Sequence, residues 1–274
     1  MVYNFPNDTS HFKLLICDFD GTLAGDAHVV TPKVLRAVRK WIDLGRHFTI
    51  ATGRQFLMID DECRKMNLVD PVIVRGGAEV VDPQTGKILY SELIEKDDVE
   101  LMLGKIEKSR LFYTSIEIED VIYSDFKIII PFPKITFKKV SEFEIRNVPK
   151  IHLKLRDENN ESAEDFIRDM VFGLPKINSI ATHNTKFGKG WDITSVRATK
   201  LHGIVKVLES LNLERENLVG VGDSYNDFPL LEAAGLKVAM GNANDELKAI
   251  ADVIVPSNED DGVAYLIEKL LEKK

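Results

Sequence analysis

The chain has 274 residues, 44% of them hydrophobic and 29% charged, which suits a folded globular protein with room for one large domain or two modest ones. With 36 basic against 44 acidic residues the net charge is −8, which argues against nucleic acid or an anionic membrane as the main partner. The only two cysteines, Cys17 and Cys63, exclude a disulfide framework and a cysteine zinc site, and no run approaches the ~18 apolar residues of a membrane span. Residues 1–11 are polar and mixed, with no basic stretch leading into an apolar one, so a cytoplasmic protein is expected.

In chain order, Lys13 to Cys17 reads as a continuous apolar strand of the kind buried on both faces. Thr31-Pro32 opens a helix with a side-chain cap and a first-turn proline, and Gly45 closes it. A second strand, His47 to Ala51, leads into Thr52-Gly53-Arg54, a helix through Met66, and a third strand over Pro71 to Arg75. This β-α-β-α-β succession predicts a parallel sheet with right-handed crossovers. From Asp82-Pro83 to about Lys189 the rhythm becomes β-rich. Strands are expected near 111–118, 121–123, 126–130 and 150–155, and helices over 97–109 and 162–172. After Trp191 the α/β rhythm returns, with a helix over 200–211, strands at 218–221, 236–240 and 252–255, and a closing helix over 262–271. The expected architecture is an α/β core from residues 1–82 and 190–274, with residues 83–189 as an inserted α+β cap. A cleft between the two is the natural ligand site.

The chemistry gathers at strand ends. Asp18 and Asp20 stand two residues apart where Gly21 breaks the first strand, at the carboxyl end where ligands bind open α/β sheets. Paired carboxylates of this kind need a cation or a shared proton. Asp18 suits the nucleophile of an aspartyl-phosphate mechanism, and Asp20 the acid for the leaving group and base for water. Asp223 and Asp227, at the end of another expected strand, add oxygen donors that suit magnesium. Thr52 can offer a hydroxyl and, with Gly53, backbone amides to phosphate oxygens. Lys200 can neutralise both aspartate and phosphate. Arg54 serves the same anion or points into the cap cleft. The six histidines show no ligand spacing.

Quoted as they stand, Asp18-Phe19-Asp20-Gly21-Thr22-Leu23, Ala51-Thr52-Gly53-Arg54, Lys200 and Gly222-Asp223-Ser224-Tyr225-Asn226-Asp227 resemble the four motifs of the haloacid dehalogenase superfamily, in the required order. Met240-Gly241-Asn242-Ala243 and Ser257 to Ala264 are similar to its Cof-like, type-IIB branch, which carries an α+β cap between motifs two and three. The resemblance implies a Rossmann-like core, magnesium as cofactor and an aspartyl-phosphate intermediate. It implies a metal held by Asp18, Asp223 and the backbone carbonyl of Asp20. Asn226 would contribute to the phosphate site, and Asp227 and Asn242 would support it. Two departures are visible: Arg75-Gly76-Gly77-Ala78 stands where the branch shows Asn-Gly-Ala, and Leu201 where a glycine commonly follows the lysine.

The expected function is therefore hydrolysis of small organic phosphate monoesters, sugar phosphates foremost, by a monomer or weak homodimer whose cap selects the leaving group. A phosphomutase or phosphotransferase using the same intermediate is the alternative. A phospho-aspartate signalling module is a remote one, disfavoured by the chain length, the cap and Asp20. A catalytically retired binding protein is disfavoured because every expected catalytic residue is present.

Overall fold

Residues 5–25, 29–126, 133–184 and 188–272 are described by a computed structural model. The chain divides into two compact units, residues 1–90 with 199–274, and residues 91–198. The junctions expected at 82–83 and 189–190 fall, respectively, just after the strand Glu79–Val81 and inside the strand Gly188–Ser195.

The first unit is built on a five-stranded parallel sheet in the order Val253–Ile254, Leu236–Ala239, Leu218–Gly222, Leu14–Cys17, His47–Ile50. Leu14–Cys17 lies inside the sheet, between Leu218–Gly222 and His47–Ile50, and is wholly buried, as its unbroken apolar run predicts. Its side chains alternate between two cores. Leu15 and Cys17 join the cluster that includes Val34, Val38 and Trp41 of the helix Pro32–Asp43 and Ile267 and Leu270 of the helix Gly262–Glu272. Leu14 and Ile16 join Ile204 and Val207 of the helix Lys200–Leu211 and Leu230 and Leu231 of the helix Phe228–Ala233. The result is a sheet between two helical layers.

The third expected strand departs from the simple succession. Among the described residues Val72–Val74 is paired to the parallel sheet through the isolated bridge Ala51–Ile73, and it pairs antiparallel with Glu79–Val81 in a separate three-stranded sheet completed by Ile88–Ser91. The reason is local. Arg75, Gly76 and Gly77 all adopt positive φ (51°, 70° and 101°), which turns the chain straight back.

The second unit is a six-stranded sheet in the order Ile177–Asn184, Gly188–Ser195, Lys150–Leu155, Phe112–Ile118, Val121–Ser124, Thr136–Lys138. Its own core holds Ile116, Ile151, Leu153 and Trp191 together with Met102 of the helix Lys96–Ser109 and Ile167 of the helix Ser162–Phe172. Of the strand expected over 126–130, residues 127–130 lie outside the described residues. The fold is thus a parallel α/β core with an inserted α+β cap.

Candidate active site

Register decides what meets. In the sheet Cys17 pairs with Val221 on one side and Ile50 on the other. The next residues out, Asp18, Gly222-Asp223 and Ala51-Thr52, therefore emerge side by side at one edge. The connections also run apart here, from Leu14–Cys17 to His47–Ile50 one way and from Leu218–Gly222 outward the other, which makes a topological switch point. Two backbone bonds fix the edge: Asp18 N donates to Val221 O at 2.9 Å and Ala51 N to Cys17 O at 2.9 Å.

Lys200, the first residue of its helix behind the capping Thr199, reaches into this edge. Its Nζ donates to Asp18 Oδ1 at 2.7 Å and to Asp227 Oδ1 at 2.5 Å, with all three side chains at most 5% exposed. Asp227 is held in turn by the amides of Asp223 (3.0 Å) and Ser224 (3.1 Å) on its second oxygen. Gly222 is required here, because a Cβ would lie 2.4 Å from that of Asp227. Carboxylate oxygens of Asp18, Asp223 and Asp227 come within 4.8 Å of one another. Burial pushes the Asp18 carboxyl well above the ordinary carboxylate range, Asp227 and Asp223 push the same way, and Lys200 opposes them. Burial and the Asp227 charge likewise raise Asp223 to about 7. Burial works against the Lys200 ammonium, but Asp18 and Asp227 outweigh it and raise its pKa. Three carboxylates thus converge on one ammonium. The excess negative charge and the all-oxygen donor set fit a hard divalent cation such as magnesium.

Asp20 sits at the rim, its side chain 45% exposed, and Arg54 grips both its oxygens, Nε at 2.7 Å from Oδ2 and Nη2 on Oδ1. The Arg54 guanidinium also lies 4.8 Å over the Phe19 ring. Arg54 is thereby tied to Asp20, a contact that neither of the roles expected from the sequence includes. Thr52 is 1% exposed. Its amide is engaged by Ile73 O at 2.9 Å, and its hydroxyl accepts from Arg54 N at 3.2 Å, so the hydroxyl rather than its own amide is what Thr52 can present to a ligand. Gly53 lies half-buried between them. Gly21 has φ 76°, and a Cβ there would lie 2.4 Å from Asp223 Oδ2, so the glycine of the first motif makes room for the aspartate of the fourth.

Asn226 is half-buried, its Oδ1 accepting from Ser224 Oγ at 2.6 Å. Asn242 Nδ2 donates to Gly21 O at 2.8 Å, which ties it to the turn after Asp20. Two contributors escape sequence reasoning. Thr22 Oγ1 donates to Asp223 Oδ1 at 2.8 Å, and Asn258 bonds to Asn242 Oδ1 through its amide (3.0 Å) and to Ala24 O through its side chain (3.3 Å). Both stand inside quoted motifs, which was the available signal. Of the two departures, Leu201 is 42% exposed, so the site tolerates its side chain. Arg75 is buried and paired with Glu79 and Gln55 rather than turned to a ligand.

The profile of the haloacid dehalogenase-like hydrolase family matches residues 15–267. The chain is 27% identical to the phosphatase YwpJ of Bacillus subtilis, over 94% of this chain and all (100%) of that one. It is 26% identical to the 5-amino-6-(5-phospho-D-ribitylamino)uracil phosphatase YcsE of the same organism, over 93% and 94% of the two chains. Among solved structures, a haloacid dehalogenase-like hydrolase from Bacteroides thetaiotaomicron superposes with a TM-score of 0.81 at 20% identity, covering 94% of this chain and 99% of that one. On the family match over nearly its whole length, carried by a site assembled at the switch point of a parallel sheet, the chain belongs to the haloacid dehalogenase-like hydrolases.

Proposed function

We propose that the protein is a magnesium-dependent phosphatase that hydrolyses small organic phosphate monoesters, sugar phosphates foremost, through an aspartyl-phosphate on Asp18. The observation that carries this reading is the buried Lys200 ammonium, 2.7 Å from Asp18 and 2.5 Å from Asp227, beside Asp223. The Lys200 ammonium opposes the burial and the neighbouring carboxylates that raise Asp18, and the charge of a bound cation would act in the same sense, towards the nucleophilic carboxylate.

Asp18 attacks phosphorus in line, the ester P–O bond breaks, and Asp20 gives its proton to the leaving oxygen. Asp20 then takes a proton from water, whose oxygen attacks phosphorus and returns Asp18 to carboxylate as inorganic phosphate leaves. Thr52, Gly53, Lys200 and Asn226 bind the phosphoryl oxygens. Arg54 grips both oxygens of Asp20 and lines the same anion site, so it orients the acid/base and must release one oxygen for Asp20 to carry the proton. Magnesium would be held by Asp18, Asp223 and the Asp20 carbonyl. Asp227 supports them through the Asp223 and Ser224 amides, and Asn242 through the Gly21 carbonyl. When bound, the cation neutralises converging negative charge and polarises the phosphoryl group.

The inserted unit selects the leaving group. The ribityl phosphate in the name of one relative is a polyol phosphate monoester, the class proposed here. The protein acts in the cytoplasm as a monomer or weak homodimer. Among the described residues no helix is long and apolar enough to cross a membrane.

The test is phosphate release from an aryl phosphate and a panel of sugar and polyol phosphates. Release that needs magnesium and disappears in Asp18→Asn supports the reading. Release that survives either the chelator or the substitution contradicts it. Transfer to a second sugar in place of free phosphate would establish the mutase.

A further inference from the structure

The turn after the third strand holds a buried ionic arrangement that the mechanism above does not use. The guanidinium of Arg75 lies on the Glu79 carboxylate, with the two side chains 3% and 5% exposed. Its other nitrogen, Nη2, donates to Gln55 Oε1 at 3.0 Å, and Gln55 is 1% exposed. Backbone bonds run in parallel with this contact: Arg75 N donates to Arg54 O at 2.8 Å and Gly76 N to Thr52 O at 2.9 Å. On its other side the same turn meets the lysine helix. A Cβ on Gly77 would lie 2.0 Å from the carbonyl oxygen of Thr199, the residue that caps the helix beginning at Lys200.

Three features are costly for a merely structural turn. Arg75 holds a left-handed φ of 51°, which a side-chain-bearing residue resists. A buried ion pair contributes little stability that apolar packing would not. Gln55 Nε2 is buried without a hydrogen-bond partner, so the glutamine is kept for the oxygen that Arg75 uses. Arg75 is also enclosed too fully to touch substrate.

We propose that Arg75 is a positioning residue for phosphoryl transfer. Anchored by Glu79, it holds the Thr52–Gln55 loop against a turn that also abuts the cap of the Lys200 helix, and so sets the spacing of Thr52 and Lys200 around the phosphoryl group. This rests on the phosphatase reading. A buried guanidinium is the side chain that can serve the carboxylate and the amide at once from a planar fork. An ammonium at the same place serves one partner well.

The test is steady-state kinetics and competitive inhibition by inorganic phosphate, on the full chain with magnesium. Arg75→Met alone strands the Glu79 charge and unsettles the fold, so the informative variant is Arg75→Met with Glu79→Leu, which removes both charges together. It is expected to melt near the native temperature, yet to lose about tenfold or more in kcat/KM, with KM and the phosphate inhibition constant rising together. Gln55→Met keeps the ion pair and cuts only the link to the loop, so it moves the same constants in the same direction by a smaller factor. Arg75→Lys should recover part of the loss. Native kinetics in the folded double variant, or in folded Gln55→Met should the double variant not fold, would overturn the role of Arg75 and leave the phosphatase reading standing. Native protein inert towards every ester would overturn both.

Discussion

At the scale of single residues, the site is governed by the arithmetic of buried charge. Lys200 is the only cation within hydrogen-bond distance of Asp18 and Asp227 among the described residues, so Lys200→Met leaves carboxyls stranded in the interior. In urea melts of the metal-free protein we expect a loss of about 3–5 kcal/mol at neutral pH, together with loss of turnover. The cost should shrink in mild acid, where the carboxyls take up protons. The raised Asp223 gives a second prediction. Its ordinary value is 3.8 and its folded value about 7, so between the two the folded protein holds a proton that the unfolded chain has released. This group's contribution to stability is therefore full below its ordinary value and lost as pH rises through about 7, and Asp18 acts in the same direction. Metal-free protein should be less stable at about pH 7.5 than at about pH 5.5, magnesium should restore more at the higher pH, and Asp223→Asn should flatten the slope. A native profile that rises with pH over this window would contradict the assignment. Asp18, Asp223 and Asp227 could be singled out because they follow apolar runs, whereas Lys200, at a helix start among other lysines, was singled out by the order and spacing of the family motifs. Thr22 and Asn258 were not singled out, because their partners Asp223 and Ala24 are distant in sequence and only the fold brings them near.

At the scale of elements, apolar periodicity and end signals carried most of the reading. Lys150–Leu155, Ser162–Phe172 and Lys200–Leu211 lie where the sequence puts them, and Thr31 caps its helix by accepting from Val34 N at 3.2 Å. The hairpins were the blind spot. Val72–Val74 pairs antiparallel with Glu79–Val81 and Ile177–Asn184 with Gly188–Ser195, and short apolar runs do not announce their partner. Glycine marks the places where such turns meet the site. Gly21→Ala puts a Cβ onto the Asp223 carboxylate in a backbone conformation that alanine resists. We expect a stability loss of about 1–3 kcal/mol from the backbone alone. A fall in turnover far beyond what that loss explains should follow, because Asp223 must move. Gly45→Ala is the control: it shares the φ of 76° but has nothing within 4 Å of its Cβ, so it should lose comparable stability and keep its turnover. Equal activity in the two variants would show that the Gly21–Asp223 contact is irrelevant to catalysis.

At the scale of the whole molecule, the proposed anion site of a chain of net charge −8 concentrates one buried lysine, one rim arginine and a metal at the switch point of a parallel sheet. The supporting residues come from both ends of the chain, Gly21 and Thr22 bonding to Asn242 and Asp223 more than 200 positions away. The inserted unit folds around its own apolar core and contributes none of the carboxylates gathered at Asp18. The central claim is that Asp18 becomes phosphorylated. It is tested most directly by acid-quenching the native enzyme during turnover of a reactive phosphate ester with magnesium, then locating covalent phosphate by mass spectrometry. The account predicts a phosphoryl group on the peptide carrying Asp18, absent from Asp18→Asn and cleared in the native enzyme once substrate is exhausted. Rapid turnover with covalent phosphate on another residue, or with an Asp18→Asn variant as active as the native enzyme, would contradict it.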